Sequence, residues 1–351
     1  MLDGDDRVVA SHDVGGWDRR DTTALEAFVA GLDRVDAVGH RVVHGGPRHR
    51  EAAVVDAAVL ADLDAAVSLA PLHQPPALAA IRAVARLLPG PPAVACFDTA
   101  FHATLAPAAA TYALPAPWRQ RWDLRRYGFH GLSHGYAVRR AAELVGRPGD
   151  FTLRVVSCHL GSGASLCAAV GGRSVDTTMG FTPLEGLVMA TRAGSVDPGL
   201  VVWLLQDGRL GLDELATGLE ERSGLVGLAG HGGDLRAVTA AAQAGDEAAR
   251  LGVAVYDHRL RQEIGAMAAS AGGLDVLVFT GGVGEHQPRV RAAAAAGLAF
   301  LGVALDDAAN APATGDGAIS AAGAPVTTLV VTSREDLEVA RLTRAALDNR
   351  G

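Results

Sequence analysis

The segment spanning residues 157–198 constrains the fold more than any other part of this chain. It begins with a short apolar strand ending at Leu160, which is followed by a tight Gly-Ser-Gly turn at 161–163. Two more short strands, at 166–170 and 173–178, are separated by a second glycine turn, so the segment predicts a set of three hairpin-connected strands. The first turn carries backbone N–H groups with no bulky side chains beside them, and such a row of amides can bind a phosphate group.

The same segment ends with a cation, Arg192, in a loop that is closed by Asp197-Pro198. A phosphate-binding turn and an arginine within one segment suit a phosphorylated ligand. The alternative interpretation is that the glycines serve only to turn the chain, since glycine adopts backbone conformations that other residues avoid. The rest of the sequence has to decide between these two interpretations.

Polar or glycine-rich turns follow most of the predicted strands, and in α/β sheets ligands bind beyond the carboxyl ends of the strands. Strand–helix alternation recurs in both halves of the chain, which favours two similar α/β domains around one cleft. The residues that the pattern places at strand ends are Arg41, His73, Asp98, His130, His134, Ser162, Arg192, Glu285 and Glu335.

These side chains have the chemistry that phosphoryl transfer requires. Cations and Mg²⁺ neutralise charge on the transferred group, and carboxylates hold the metal. Each residue also has a structural alternative when it is taken singly: Asp98 with Thr99 suits a helix N-cap, and Glu335 suits the first turn of a helix. Only their joint placement at strand ends favours a site.

Composition excludes several classes of function. The formal net charge is −8 over 351 residues, which argues against a nucleic-acid-binding protein. The sequence has no apolar run long enough for a membrane span and opens without a signal-peptide pattern. Its three cysteines lie in apolar segments, so we expect reduced core residues and a cytoplasmic protein. There is no lysine, which excludes a Walker-type phosphate loop and Schiff-base chemistry.

Seven ordered motifs resemble the acetate kinase family of short-chain carboxylate kinases. They read GHRVVHGG (39–46), PLHQPP (71–76), FDTAFH (97–102), RRYGFHGLSH (125–134), HLGSGAS (159–165), TMGFTPLEGLVMATRAGSVDPG (178–199) and FTGGVGEH (279–286). The resemblance implies the duplicated, ribonuclease H-like α/β fold of the actin superfamily. It also implies transfer of the γ-phosphoryl group of ATP to acetate, with Mg²⁺, to give acetyl phosphate and ADP in a reversible reaction, by a cytoplasmic homodimer.

The resemblance assigns a role to each matching position. Arg41 and Arg192 would hold the carboxylate and the phosphoryl group, His130 would contact that group, and Asp98 would be catalytic. The expected substrate-pocket residues are Arg41, Val43, Leu72, His73, Phe129 and Pro183. The expected nucleotide-binding residues are His159, Gly161, Ser162, Gly163, Asp234, Leu235, Arg236, Gly281, Gly282, Val283, Gly284 and Glu285, and Glu335 is the expected metal ligand. The implied domains are 1–100 with 337–351, and 101–336.

Some parts of the sequence depart from the family pattern. An opening segment of the NxGSSS type has no counterpart, so we expect the first domain to lack its first strands. Gln74 and Ser162 stand where the family usually has asparagine, and the adenosine-side segment at 229–236 is unusually rich in glycine. The alternatives are a catalytically impaired nucleotide-binding homologue, or a kinase of another short carboxylate such as butyrate. Acceptance of propionate is expected, because one methylene contributes only about 1–3 kcal/mol of discrimination.

Overall fold

A computed structural model describes residues 1–13, 22–71 and 73–349 of the chain. The strands are β1 (Val38–Val42), β2 (Ala53–Val54), β3 (Ala93–Phe97), β4 (Arg154–Leu160), β5 (Ala164–Val170), β6 (Arg173–Thr177), β7 (Val276–Thr280), β8 (Gly317–Ala318) and β9 (Thr327–Val330). The helices are α1 (Thr23–Ala30), α2 (Ala57–Ala65), α3 (Gln74–Leu87), α4 (Pro107–Ala110), α5 (Ala116–Trp122), α6 (Gly131–Leu144), α7 (Pro198–Leu205), α8 (Leu212–Glu221), α9 (Gly224–Ala229), α10 (Leu235–Gln243), α11 (Glu247–Ser270), α12 (Gly281–His286), α13 (Pro288–Ala296), α14 (Asp307–Asn310) and α15 (Glu335–Asp348).

The chain divides into two compact units. Unit 1 comprises Met1–Ala103, Phe129–Leu132 and Arg334–Gly351, and unit 2 comprises Thr104–Gly128 and Ser133–Ser333. Both units have helices packed on a sheet, so the predicted α/β class is confirmed. Within the described ranges, no helix combines the length and apolar character that crossing a membrane requires.

Unit 1 is built on a three-stranded sheet in the order β1-β3-β2, in which β1 and β3 are parallel. Alternation along β3 directs Ala95 and Phe97 into a cluster with residues of α2 and α3. Val94 and Cys96 point to the opposite face, where α15 packs. The helical pattern of residues 52–70 predicts one helix, but β2 occupies its first turn because Ala53 and Val54 pair with β3.

Unit 2 is built on a six-stranded sheet in the order β6-β5-β4-β7-β9-β8. The predicted hairpin is confirmed, since β4, β5 and β6 are antiparallel neighbours. β4, β7 and β9 run parallel, and all five residues of β7 are buried, as its unbroken apolar run predicts. The carboxyl ends of β4 and β7 therefore lie side by side, with His159 opposite Thr280.

Candidate active site

Arg41 of unit 1 bridges two carboxylates. Its Nη2 lies 2.9 Å from Oδ2 of Asp98, its Nε lies 3.3 Å from Oδ1 of Asp98, and its Nη1 lies 3.0 Å from Oε2 of Glu335. The parallel pairing of β1 and β3 brings the first two residues together, because Arg41 lies opposite Cys96 and Asp98 follows two positions later. Glu335 is the first residue of α15, which packs on the same strands.

The peptide that follows His130 is held against Asp98. The Gly131 N–H donates to the Asp98 carbonyl oxygen at 2.9 Å, and a Cβ at Gly131 would collide with that oxygen. His130 itself has a φ of 56°, a left-handed conformation that is uncommon for a residue with a side chain. Such strain persists only where the surrounding structure enforces it, and it is concentrated at functional sites.

The other expected pocket residues of unit 1 differ in exposure. Phe129 is buried, Val43 is half-buried and His73 is exposed, while Leu72 lies outside the described residues. Gln74 is buried and pairs with the backbone of His44, donating to its carbonyl oxygen at 2.9 Å and accepting from its N–H at 3.3 Å. Gln74 therefore serves to hold the strand end in place.

Both carboxylates beside Arg41 are harder to ionise than usual. Burial raises the pKa of Asp98, and the opposing charge of Arg41 offsets only part of this rise. Burial also raises the pKa of Glu335. The Arg41 charge opposes this rise, and the Asp98 charge adds to it. The Asp98 charge in turn raises the pKa of Arg41. The cluster thus places two carboxylates with raised pKa on the Arg41 guanidinium.

These donors fit a magnesium ion. Mg²⁺ prefers oxygen ligands and is usually bound by one or two carboxylates together with substrate phosphates and water. Among the described residues, no group of three or more His, Cys, Asp or Glu side chains is placed to hold a metal ion. Asp98 and Glu335 are the residues of this cluster that could hold a magnesium ion.

The two expected phosphate loops of unit 2 are neighbours. Gly161 and Gly281 follow the paired ends of β4 and β7, and a Cβ at Gly281 would lie 2.8 Å from the Leu160 carbonyl oxygen. The Gly161 N–H already donates to Gly163 O at 2.9 Å, which leaves the amides of Ser162 and Gly163 as candidates for phosphate contact. The glycine turn expected after β7 is in fact the start of helix α12.

The carboxylate of Glu285 supports this loop from inside. Its Oε1 accepts from the N–H of Gly281 at 3.0 Å and from the N–H of Ser333 at 2.9 Å. The buried Arg291 donates to the carbonyl oxygens of Gly284 and Glu285 at 2.9 and 2.7 Å. Glu285 is thus committed to the shape of the loop, and Gly282 and Val283 are its more accessible members.

Two histidines lie behind the Gly-Ser-Gly tip. His134 is completely buried, with its Nδ1 3.0 Å from Ser157 Oγ on β4 and its Nε2 2.8 Å from Ser165 Oγ on β5. His159 is half-buried, and its Nδ1 lies 2.8 Å from Ser133 Oγ. His134 therefore links β4 and β5 by hydrogen bonds from the interior of the unit.

Arg192 is half-buried in unit 2 and contacts the expected pocket residue Pro183. Its Nη1 donates to the Pro183 carbonyl oxygen at 2.7 Å. In the part of the chain that the structure describes, Arg192 makes no ion pair. Burial lowers its pKa, while the more distant charge of Glu220 acts in the opposite direction. A partly desolvated guanidinium without a counter-ion is suited to an anionic ligand.

The adenosine-side segment forms the start of α10. The Asp234 carboxylate caps this helix by accepting from the Arg236 N–H at 2.8 Å, and it also accepts from Arg236 Nη2 at 2.8 Å. The Arg236 hydrogen bonds lower the pKa of Asp234. Leu235 is buried in the helix packing, whereas Asp234 and Arg236 present their side chains to solvent.

Three further polar side chains meet beside Pro183 and are absent from the expected set: Tyr112, Arg126 and Glu185. Arg126 and Glu185 lie within two of the recognised motifs, at 125–134 and 178–199, and this position was the available signal.

Comparison with known proteins identifies the family. A family model described as "Acetokinase family" matches residues 20–341. The acetate kinase of Leifsonia xyli subsp. xyli is 53% identical over 309 residues, covering 88% of this chain and 77% of the relative. This chain belongs to the acetokinase family.

Solved structures of an acetate kinase and a propionate kinase have the same fold. The acetate kinase of Porphyromonas gingivalis superposes with a TM-score of 0.86 at 39% identity, covering 91% of this chain and 80% of that one. A propionate kinase from Francisella tularensis superposes with a TM-score of 0.85 at 35% identity, covering 92% and 83%. The acetokinase family consists of carboxyl-group phosphotransferases that are generally ATP-dependent, as the resemblance implied.

Proposed function

We propose that this chain is an acetate kinase, which transfers the γ-phosphoryl group of ATP to acetate and yields acetyl phosphate and ADP reversibly. The observation that carries the proposal is the Arg41 cluster, in which one arginine lies between the carboxylates of Asp98 and Glu335. Membership of the acetokinase family supports the reaction class.

No general base is needed for this reaction, since the carboxylate of acetate is already ionised at neutral pH. The main obstacle is repulsion between that carboxylate and the triphosphate. We propose that Arg41 and Arg192 reduce it by binding the carboxylate and the transferred group, with His130 as a further contact. Asp98 would orient Arg41 and, with Glu335, hold Mg²⁺, which supplies positive charge to the phosphate oxygens when it is bound.

The nucleotide is proposed to lie on unit 2. Its phosphates would contact the amides of Ser162 and Gly163 and the start of α12, and Asp234 and Arg236 would face the nucleoside. The adjacency of the ends of β4 and β7 supports this assignment. The division into actin-like domains at 1–100 with 337–351 and at 101–336, and the cytoplasmic location, stay predictions.

The acyl pocket is proposed to include Val43 and Phe129 of unit 1. Apolar side chains discriminate weakly between homologous chains, about 1–3 kcal/mol per methylene. We therefore expect propionate to be accepted with a lower kcat/KM, and butyrate with a lower one still. The similarity to a structure named as a propionate kinase favours testing both.

A homodimer is proposed as the working state. Helix α7 is entirely apolar, yet none of its residues is buried, and Leu200, Val202, Trp203 and Leu205 are all more than a third exposed. Extended exposed apolar surfaces are typical of protein contacts. Sedimentation velocity should give a dimer for the wild type and a monomer for Val202→Glu, whereas the equally exposed Val9→Glu should stay dimeric.

The function is tested by trapping the acyl phosphate with hydroxylamine. Purified protein with ATP, Mg²⁺ and acetate should form acetohydroxamate, and omission of any one of the three should abolish it. Tight ATP binding without hydroxamate from any short carboxylate would instead support a catalytically impaired homologue.

A further inference from the structure

Three polar side chains of unit 2, which we call the clamp, converge on one short loop: Tyr112, Arg126 and Glu185. The Tyr112 hydroxyl donates to Oε2 of Glu185 at 2.6 Å, and Arg126 Nη2 donates to Oε1 at 2.7 Å. Both carboxylate oxygens of Glu185 are thereby engaged. The Arg126 guanidinium also lies 5.6 Å from the centre of the Tyr112 ring, so the three groups form one packed cluster.

Local chain pairing brings the clamp together. An isolated antiparallel bridge joins Thr111 to Arg125, and the Arg126 N–H donates to the Ala110 carbonyl oxygen at 2.8 Å. The residues between them, including α5, form an excursion that leaves and returns at this bridge. Tyr112 and Arg126 therefore reach the loop from two segments that are hydrogen-bonded to each other.

The clamp holds the loop at residues 180–186 from both ends. Arg126 Nη1 donates to the carbonyl oxygens of Thr177, Thr178 and Met179 at 3.2, 3.2 and 3.0 Å, which fixes the entrance to the loop. The Phe181 N–H donates to the Tyr112 hydroxyl oxygen at 2.9 Å. A Cβ at Gly180 would collide with the Tyr112 hydroxyl and with Glu185, so only glycine fits beneath the clamp.

Arg192 takes its position from this loop. Its Nη1 donates to the carbonyl oxygen of Pro183. Pro183 lies between Phe181, whose N–H donates to Tyr112, and the clamp residue Glu185. Displacement of the loop would move the hydrogen-bond acceptor that orients the Arg192 guanidinium.

The clamp also keeps the negative charge of Glu185 paired with Arg126. Glu185 lies two residues from Pro183, yet its carboxylate pairs with Arg126, and Arg192 makes no ion pair within the described residues. Were Glu185 released, its carboxylate could neutralise Arg192, which contacts the carbonyl oxygen of Pro183.

We propose that Tyr112, Arg126 and Glu185 are positioning residues for Arg192: they shape the loop that docks its guanidinium and keep a competing carboxylate away from it. The proposal rests on the proposed function, in which Arg192 binds the carboxylate substrate, and it adds residues that act through Arg192 without contacting substrate.

The direct test needs no substrate. Phenylglyoxal modifies accessible arginines, and peptide mass spectrometry reports the rate at Arg192 alone. We expect Tyr112→Phe to raise that rate about fivefold, which corresponds to loss of about 1 kcal/mol for one net hydrogen bond. Glu185→Gln should also raise it, and provides a second variant if Tyr112→Phe does not fold.

Tyr256→Phe is the matched control, because the Tyr256 hydroxyl is buried and has no hydrogen-bond partner among the described residues. It removes a hydroxyl of the same kind from the same unit, and Arg192 should be modified at the wild-type rate. Equal Arg192 rates in wild type, Tyr112→Phe and Glu185→Gln would overturn the proposal.

Kinetics give a second readout. We expect Tyr112→Phe to raise KM for acetate several-fold more than KM for ATP, whereas Tyr256→Phe should change neither. Wild-type protein that forms no acyl phosphate would overturn the proposed function alone, since the Arg192 modification rates would still decide whether the clamp orients this side chain.

Discussion

Arg41 and Asp98 face each other at the ends of two parallel strands, with Arg41 Nη2 2.9 Å from Asp98 Oδ2. The Asp98 side chain is 2% exposed, whereas that of Arg41 is 45% exposed. The aspartate is therefore the fixed member of the pair and the arginine its accessible member. This arrangement allows Arg41 to meet a ligand while Asp98 and Glu335 hold its guanidinium in one orientation.

Replacement of Arg41 by alanine should lower kcat/KM for acetate about 10²–10³-fold, the loss typical of removing one electrostatic contact to a transition state. Hydroxamate formation measures the change. Arg34→Ala, which removes an exposed arginine from the same unit, should leave activity unchanged. Full activity in Arg41→Ala would exclude the proposed role.

Asp98→Asn should make stability less sensitive to pH. An acid whose pKa is higher in the folded state than in the unfolded chain holds its proton more tightly when folded, so its contribution to stability is lost as pH rises. The pKa of buried Asp98 is raised. Relative to wild type, the variant should therefore gain free energy of unfolding as pH rises above about 4, measured by urea unfolding. If the free energy of unfolding of Asp98→Asn instead fell relative to wild type as pH rises, the prediction would be contradicted.

His40 should contribute to unfolding in acid. Burial lowers its pKa from 6.5 to about 4, and its Nε2 has no hydrogen-bond partner among the described residues. The unfolded chain takes up this proton first, so stability is lost as pH falls from 6.5 to about 4, by roughly 3 kcal/mol at most. Urea unfolding of His40→Gln should show a smaller acid-induced loss than wild type, and the exposed His258→Gln should match wild type.

Arg192→Gln should separate activity from stability. Because Arg192 makes one hydrogen bond to Pro183 and no ion pair among the described residues, its replacement should cost about 1 kcal/mol of stability or less. Its kcat/KM for acetate should nevertheless fall about 10²-fold or more. Urea unfolding and the hydroxamate assay on the same preparations measure both quantities. Unchanged turnover would remove Arg192 from the site.

Gly281→Ala and Gly282→Ala should have opposite effects on stability. Gly281 has a φ of 77° and a Cβ there would crowd Leu160 O, whereas a Cβ at Gly282 meets nothing within 4 Å. We expect Gly281→Ala to destabilise by about 1–3 kcal/mol, and Gly282→Ala to be neutral or stabilising by about 0.5–1 kcal/mol. Thermal and urea unfolding of both variants measure these changes in stability. Equal effects would show that the loop after β7 is not sterically constrained.

Local sequence patterns predicted much of the architecture. The apolar runs of β3, β4 and β7 and the glycine turns around β5 are short-range signals, and the structure has strands at these places. The first turn of the expected helix at 52–70 was wrong because Ala53 and Val54 pair with β3, a partner far away in sequence. The motifs likewise sufficed to recognise the acetokinase family.

Residue types and their order along the chain thus determined the α/β class, the family and the set of candidate side chains. Only the tertiary structure decided how those side chains are partnered. Arg41 pairs with Asp98 because β1 and β3 are parallel neighbours, and with Glu335 because α15 packs on the same strands. His134 looked like a site residue but joins two strands from the interior, whereas Glu185 gained a role through Tyr112 and Arg126. Ion pairs and burial depend on contacts between distant segments, which short-range periodicity does not encode.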